Sequence, residues 1–369
     1  MRSLLSTRET VKGLPQVSWV RLAQEAIRCN IAGFYPHILD WIGMRPLYAN
    51  FWVTTRCSGR CKTCKQWQEK DHAELTTSEL KEILVILKRA GIRIVYFVGG
   101  DIFLRDDIFE LIKFASIIGL RVHLTINAFT VTEKIAKALM ASQISSVHLS
   151  LDMLSEDFDD LRGVQDSAKK VIQSFRLLRE ASNHQTRLGV TTTIMKCTLP
   201  SIRDIVRFAI ENELTVFFNL INFTHHFFST EFSKGQYHLN SDEKKELYAL
   251  VQWLKERHME HPDLIPRISH LEWIRDYFND YRQRWPPCYQ TLLKICIRPN
   301  GDVRPCCSME TVGNICQQEL KKILRSKEYV SLLKKALLKE CPGCSCRYTL
   351  NLDVSLTSHI KEYLHRWRR

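Results

Sequence analysis

Two hydrophobic patterns alternate along the chain between residues 48 and 222. Short, mostly apolar and β-branched runs are typical of buried strands, and the segments between them carry apolar residues at the spacing of amphipathic helices. The strand-like runs are ANFWVTTR, IRIVYFVGG, RVHLTIN, SVHLSLD, RLGVTTTIM and TVFFNLIN. Strands that are each separated from the next by a helix predict an α/β fold with a parallel sheet, whose carboxyl ends carry function.

The first helix of this alternation shows both of its ends in the sequence. In TTSELKEILVILKRAG, Glu79 follows Thr76 by three residues, which is typical of a capping box, and Gly91 closes the run. We therefore expect a helix that begins just after Thr76 and ends just before Gly91.

The segments that flank the alternation have other patterns. VSWVRLAQEAIRCNIAGFYPHILDWIG predicts an amphipathic helix pair broken at Pro36, which either packs on the main domain or touches lipid. ICIRPNGDVRPC predicts a hairpin, because two strand-like runs flank a turn sequence. The predicted organisation is a helical preface at 1–45, a main domain at 46–235, a helical connection at 236–284, a Cys-rich domain at 285–350 and a basic helix at 351–369.

Composition limits the class of protein. Hydrophobic content of 45% and charged content of 25% are ordinary for a globular chain, and the net charge of +13 favours acidic partners. No apolar run is long enough to span a membrane, and the N-terminus lacks the apolar core of a secretion signal. We therefore expect a cytoplasmic protein, with association at the membrane periphery as an alternative. Thirteen cysteines then favour metal ligands and buried thiols over disulfides.

Three of these cysteines lie in one short loop after the first predicted strand. TTRCSGRCKTCKQW places Cys57, Cys61 and Cys64 in a CxxxCxxC pattern. A closed structural zinc site takes four protein ligands, whereas three thiolates can hold three irons of a 4Fe-4S cluster and leave the fourth iron open. The loop resembles that of the radical S-adenosylmethionine (SAM) superfamily, although Thr63 stands where the family usually has an aromatic residue or His.

This resemblance implies a partial (β/α)6 barrel that binds a 4Fe-4S cluster and SAM and cleaves SAM to a 5'-deoxyadenosyl radical. VGGDIFLRDDI, LTINAF and HLSLDMLSEDFDDLRG extend it, with Asp101 and Ile102 in place of the family's Glu and Pro. The SAM-contacting residues that it implies are Gly99, Gly100, Asp101, Asn127, Ser150, Asp152 and Arg162. A helix-capping and surface pair is an equally weighted alternative for Asp152 and Arg162.

A second cysteine set follows downstream. Cys288, Cys306, Cys341 and Cys344 resemble the ligands of the SPASM or twitch domain of radical SAM enzymes, and this resemblance implies one auxiliary 4Fe-4S cluster. Cys307 could replace Cys306, and Cys346 could replace Cys341 or Cys344. Two auxiliary clusters, or a zinc ribbon, are the alternatives.

The function that follows is hydrogen abstraction by a radical SAM enzyme, an oxidoreductase acting on a small-molecule or lipid-like substrate with an electron donor such as flavodoxin or ferredoxin. A peptide-modifying maturase is the alternative within the family. A zinc-bearing nucleic-acid-binding protein is the alternative from another class, but it would need a basic stripe that the chain offers only in YLHRWRR. No acid, base or radical relay is assigned, and the oligomeric state is not predicted.

Overall fold

A computed structural model of the protein describes residues 19–42, 45–69, 73–182, 186–221, 237–280 and 287–341. Its centre is one sheet. The strands are β1 (Tyr48–Thr54), β2 (Ile94–Gly99), β3 (Arg121–Ile126), β4 (Ser146–Ser150), β5 (Arg187–Ile194), β6 (Thr215–Leu220), β7 (Lys294–Ile297), β8 (Asp302–Arg304) and β9 (Gly313–Asn314). Their order in the sheet is β6-β5-β4-β3-β2-β1-β7-β8-β9.

Helices connect the strands and cover the sheet. The α-helices are α1 (Trp19–Phe34), α2 (Thr77–Arg89), α3 (Ile108–Ile117), α4 (Glu133–Ala141), α5 (Asp157–Arg162), α6 (Ser167–Ala181), α7 (Ile202–Glu211), α8 (Ser241–Glu260), α9 (Ile268–Asn279), α10 (Gln290–Leu293), α11 (Leu320–Ile323) and α12 (Lys327–Leu337). Short 3-10 helices lie at Pro36–Asp40, Gln66–Gln68, Ile102–Leu104 and Leu199–Ser201.

The predicted barrel strands are confirmed. β1 to β6 pair in parallel with their sequence neighbours, and helices separate each strand from the next. The predicted caps of α2 are confirmed too: the Glu79 carboxylate accepts a hydrogen bond from the Thr76 N–H at 2.8 Å, and Gly91 has a φ of +92°. Local sequence signals therefore set the ends of these elements.

The predicted hairpin is also confirmed, and it extends the barrel sheet. β7 and β8 pair antiparallel, with Ile297 opposite Val303, while β7 pairs in parallel with β1, with Phe51 opposite Ile297. The Cys-rich region thus shares a sheet with the barrel at its β1 edge. The domain boundary placed before residue 285 stays a prediction. The sheet itself contains strands from both sides of this position.

The preface differs from the predicted helix pair. It forms α1 and then a 3-10 turn that begins at Pro36, since proline cannot continue the helix. Cys29, Ala32 and Leu39 are buried in the main hydrophobic core, which agrees with packing on the main domain. The opposite face leaves large apolar side chains exposed, namely Ile27, Ile31, Phe34, Tyr35 and Trp41.

The helical connection contains α8 and α9. Tyr277 on α9 donates a hydrogen bond from its hydroxyl to the Ile221 carbonyl at 2.6 Å, which fastens the connection to the end of β6. The basic helix expected at 351–369, together with Cys344 and Cys346, lies outside the described residues.

Candidate functional site

The loop that carries Cys57, Cys61 and Cys64 follows β1 at the carboxyl edge of the sheet. All three thiols are half-buried, and burial raises the pKa of the Cys64 thiol to about 12, with Cys61 and Cys57 adding to the effect. Burial likewise raises the pKa of Cys57. Because iron binds thiolates, cluster assembly must release the protons that these thiols hold.

The type of donor in this loop bears on the metal centre that it could hold. Within the described ranges, no three or more His, Cys, Asp or Glu side chains are grouped closely enough to hold one metal ion. A 4Fe-4S cluster instead engages each cysteine through a different iron. Three thiol donors are the kind of ligand that such a cluster takes.

The backbone of the cysteine loop is held by the end of α5. Arg60 N–H donates to the Arg162 carbonyl at 3.0 Å, and Lys62 N–H donates to the Leu161 carbonyl at 2.9 Å. Gly163 follows with a φ of +61°, and a Cβ there would lie 2.7 Å from the Arg60 Cβ. The Arg-Gly sequence at 162–163 thus fits a close contact between α5 and the loop.

The predicted glycines at the end of β2 make a second close contact with the loop. A Cβ on Gly100 would lie 1.9 Å from the Arg56 carbonyl oxygen, and one on Gly99 would lie 2.4 Å from that of Thr54. Asp101 N–H donates to the Arg56 carbonyl at 2.8 Å. The resemblance implies that the backbone of Gly99 and Gly100 lies close to SAM. In this structure the group that lies close to these glycines is the backbone of the cysteine loop and of the end of β1.

Asp101 and Asn127 converge on a residue between the first two cysteines. Ser58 donates its hydroxyl proton to the Asp101 carboxylate at 2.6 Å, and the Asn127 amide donates to the Ser58 hydroxyl at 3.3 Å. Thr130 donates to the same Asp101 oxygen at 3.0 Å. The predicted SAM contacts Asp101 and Asn127 therefore anchor the cysteine loop in this structure, and their contact with SAM stays a prediction.

Asp152 and Arg162 form a buried ion pair beside Cys61, so the expectation of a surface pair is wrong. Asp152 is 2% exposed, and it also accepts a hydrogen bond from Thr193 N–H at 2.6 Å. Arg162 reaches the Cys61 sulfur at 3.7 Å. Burial by itself lowers the pKa of Arg162, but Asp152 and Cys61 together raise it above its ordinary value. A fixed cation thus faces one thiol.

Other residues of this site were not singled out from the sequence. The Gln66 side-chain amide lies 3.2 Å from both Gly99 O and Gly100 N, and the amide orientation that satisfies both turns its nitrogen towards the carbonyl. Arg105 is buried and bridges Glu74 and Asp107. Ser58 and Gln66 lie within the TTRCSGRCKTCKQW stretch, and this closeness to the cysteines is the only sequence feature that pointed to them. Ser150 ends β4, half-buried.

The second cysteine set is brought together from distant parts of the chain. Cys288 and Cys306 belong to one small apolar cluster with Met309 and Ala336, and Cys341 packs against it. Cys306, not its neighbour Cys307, is part of this cluster. Three of the four predicted ligands therefore converge, and their donor type fits an iron-sulfur cluster.

A contact joins the two cysteine regions. Arg298, which follows β7, pairs with the Glu69 carboxylate at 3.1 Å, and Glu69 lies just beyond the cysteine loop. Leu75 N–H also donates to the Pro299 carbonyl at 2.9 Å. The hairpin of the Cys-rich region therefore supports the chain segment that leads away from Cys64.

Among the residues that the structure describes, no helix combines the length and hydrophobicity needed to cross a membrane. Association at the membrane periphery stays a prediction.

Parts of this chain are similar in sequence to known proteins. An AdoMet-dependent heme synthase of Oleidesulfovibrio alaskensis is 29% identical over 158 residues, which are 42% of this chain and 40% of that protein. A PqqA peptide cyclase of Bradyrhizobium diazoefficiens is 29% identical over 169 residues, 45% of this chain and 44% of that protein. Each match thus spans less than half of the relative.

The fold is similar over a longer stretch. The structure of Streptococcus suis SuiB bound to its precursor peptide SuiA has a TM-score of 0.65 and 17% identity, covering 86% of this chain and 76% of that one. At this identity the likeness concerns the fold alone.

Two family models match the chain. One, described as the radical SAM superfamily, matches residues 53–209, and the other, described as an iron-sulfur cluster-binding domain and named SPASM, matches residues 288–345. The first implies a 4Fe-4S cluster with SAM and the second implies auxiliary iron-sulfur clusters, as predicted. The zinc-bearing nucleic-acid-binding alternative finds no support in these matches. The chain therefore contains a radical SAM domain followed by a SPASM iron-sulfur cluster-binding domain.

Proposed function

We propose that this enzyme modifies a peptide substrate by hydrogen abstraction, with Cys57, Cys61 and Cys64 as the ligands of its SAM-binding cluster. When bound there, the reduced 4Fe-4S cluster supplies the electron that cleaves SAM to a 5'-deoxyadenosyl radical. The observation that carries the peptide assignment is the shared arrangement of barrel and Cys-rich extension, which is similar over 86% of this chain to SuiB bound to a precursor peptide. The similarity to a PqqA peptide cyclase supports it.

Side chains of the chain itself hold the loop that carries the proposed cluster ligands. Ser58, tied to Asp101 and Asn127, fixes the loop between its first two cysteines. Arg162 places a buried positive charge at the Cys61 sulfur. The thiolate is the form of cysteine that binds metal, so a cation at this sulfur complements the negative charge of an iron-bound ligand. These contacts fix the position of the three cysteines that we propose as iron ligands.

A small-molecule substrate is the second candidate, because the heme synthase is as similar in sequence as the peptide cyclase is. The net charge of +13 suits an acidic molecule of either kind. A lipid-like substrate has no support among these relatives.

Protease treatment distinguishes the two candidates. The enzyme would be purified without oxygen and incubated with SAM and dithionite. Each incubation would also receive one of two cell-extract fractions, of 1–10 kDa or below 1 kDa. The 5'-deoxyadenosine formed would be measured by mass spectrometry. We expect the larger fraction to stimulate its formation several-fold and proteinase K to remove the stimulation. Stimulation that survives the protease, or that arises only from the smaller fraction, would contradict the peptide assignment. The variant lacking Cys57, Cys61 and Cys64 is the control.

A further inference from the structure

Two buried hydroxyl groups near the auxiliary cysteines lack a hydrogen-bond partner among the described residues. Tyr329 on α12 is fully buried and Ser308 is 7% exposed, and neither the Tyr329 Oη nor the Ser308 Oγ makes a hydrogen bond there. Leaving such a group unsatisfied costs about 1–3 kcal/mol. Most buried polar groups in proteins are paired, so an unpaired one requires an explanation.

Both residues belong to segments that pack at the auxiliary cysteines. Ala336 on α12, the helix that carries Tyr329, lies in one apolar cluster with Cys288 and Cys306. Ser308 sits in the turn closed by the hydrogen bond from Met309 N–H to the Cys306 carbonyl at 3.2 Å. Burial raises the pKa of Tyr329, and the Cys296 and Cys306 thiols raise it further. Tyr329 therefore keeps its proton and is available as a donor.

The protein groups that act on Tyr329 are poor hydrogen-bond acceptors for its hydroxyl. Lys294, whose positive charge lowers the pKa of Tyr329, has no acceptor atom in its charged form. Cys296 is a thiol, which accepts hydrogen bonds only weakly. An iron-sulfur cluster, in contrast, presents negatively charged sulfur atoms, and hydrogen bonds to these sulfurs are among the features that set its reduction potential.

We propose that Tyr329 and Ser308 are positioning residues that donate hydrogen bonds to the sulfur atoms of the auxiliary cluster and thereby raise its reduction potential. The reduced cluster carries the larger negative charge, so donors stabilise it more than the oxidised form. This inference rests on Cys288, Cys306 and Cys341 as auxiliary ligands and is independent of the substrate class.

The test uses the full chain with Cys57, Cys61 and Cys64 replaced by Ala, so that only the auxiliary cluster contributes a signal. Its midpoint potential would be measured by redox titration followed by electron paramagnetic resonance. For Tyr329→Phe we expect a tenfold lower ratio of reduced to oxidised cluster at any fixed potential, a shift of about 59 mV for one electron. Ser308→Ala should shift the ratio in the same direction by about threefold.

Tyr277→Phe is the matched control, because it removes another buried hydroxyl that bonds to a barrel carbonyl instead. It should leave the midpoint unchanged. A Tyr329→Phe protein with full iron and the parent's midpoint would overturn the proposal, and so would an equal shift in the control. If Tyr329→Phe loses iron, Ser308→Ala decides, since it removes one oxygen atom: an unchanged midpoint there also overturns the proposal.

Discussion

The two cysteine regions of this enzyme are built in opposite ways. Cys57, Cys61 and Cys64 come from one short loop, and polar side chains and backbone hydrogen bonds hold that loop against β2, β3 and α5. Cys288, Cys306 and Cys341 come from three separated parts of the chain and meet in a small apolar cluster.

The difference matches what each centre has to do. The first loop keeps half-buried thiols and a nearby cation, Arg162, at the open edge of a parallel sheet, where ligands bind. The second set packs among apolar side chains, including Met309 and Ala336. A site that binds a substrate needs access and a shaped loop, whereas a closed cluster needs ligands held by the surrounding packing.

The largest expected effect comes from Gly100→Ala. Its Cβ would overlap the Arg56 carbonyl at 1.9 Å, so the cysteine loop must move away from β2. We expect a loss on the order of 4 kcal/mol in the free energy of unfolding, with loss of the SAM-cleaving cluster and retention of auxiliary iron. Denaturant titration and iron analysis would measure this.

Gly59→Ala is the control for that variant, because the nearest atom to its Cβ is the Cys61 sulfur at 3.5 Å, an ordinary contact. Equal stability of the two variants would contradict a tight β2 contact with the loop.

A smaller effect is expected from Asp152→Asn. This change leaves the Arg162 charge buried without its carboxylate, and breaking a buried pair in this way costs about 3 kcal/mol. The SAM-cleaving centre should be affected while the auxiliary centre is not. Stability measured by denaturant titration, with separate electron paramagnetic resonance of each cluster, checks both points.

The matched control is the ion pair of Lys62 with Asp160. It joins the cysteine loop to α5, the helix of Arg162, but it is largely exposed. Asp160→Asn should change the free energy of unfolding by less than about 1 kcal/mol. If it costs as much as Asp152→Asn, burial of the Arg162 pair is not what matters.

The smallest effect concerns the scaffold that both centres share. Burial lowers the pKa of His270 on α9 to about 3 from its ordinary 6.5. Between these values the unfolded chain binds the proton that the folded chain does not. The contribution to stability is therefore intact above about pH 6.5 and falls by about 1.4 kcal/mol per pH unit below it.

His270→Phe should flatten this acid-side slope, because phenylalanine keeps a ring against Phe217 and Trp273 without a titrating group. Unfolding by denaturant between pH 4.5 and 7.5 measures the slope. The exposed His37→Phe is the control. If the slope were the same in His270→Phe and in the parent, His270 would not be the source of this pH dependence. Acid should affect the iron content of both cysteine regions equally.

The same contrast explains what the sequence could predict. The strands, the caps of α2 and the CxxxCxxC loop depend on residues near each other in the chain, so hydrophobic periodicity and spacing were sufficient. The hairpin was visible in its turn residues. Its pairing with β1 was not, because that contact joins residues more than two hundred positions apart.

The roles of individual site residues were less accessible. Asp152 and Arg162 carry charges that are usually exposed, and only the tertiary structure shows that they are buried as a pair. Gly99 and Gly100 were recognised, but the group that approaches them is the cysteine loop. Ser58 and Gln66 act through contacts that sequence spacing does not reveal, and the burial of Ser308 and Tyr329 is visible only in the tertiary structure.

The most direct test of the central claim removes each cysteine region separately and counts iron. We expect the parent, purified without oxygen, to hold about eight irons, as two clusters of four require. Cys57, Cys61 and Cys64 changed to Ala should leave about four irons and no 5'-deoxyadenosine formation. Cys288 and Cys306 changed to Ala should also leave about four irons but retain SAM cleavage under reduction. Cleavage that persists without the first three cysteines would contradict the assignment of the open cluster to that loop.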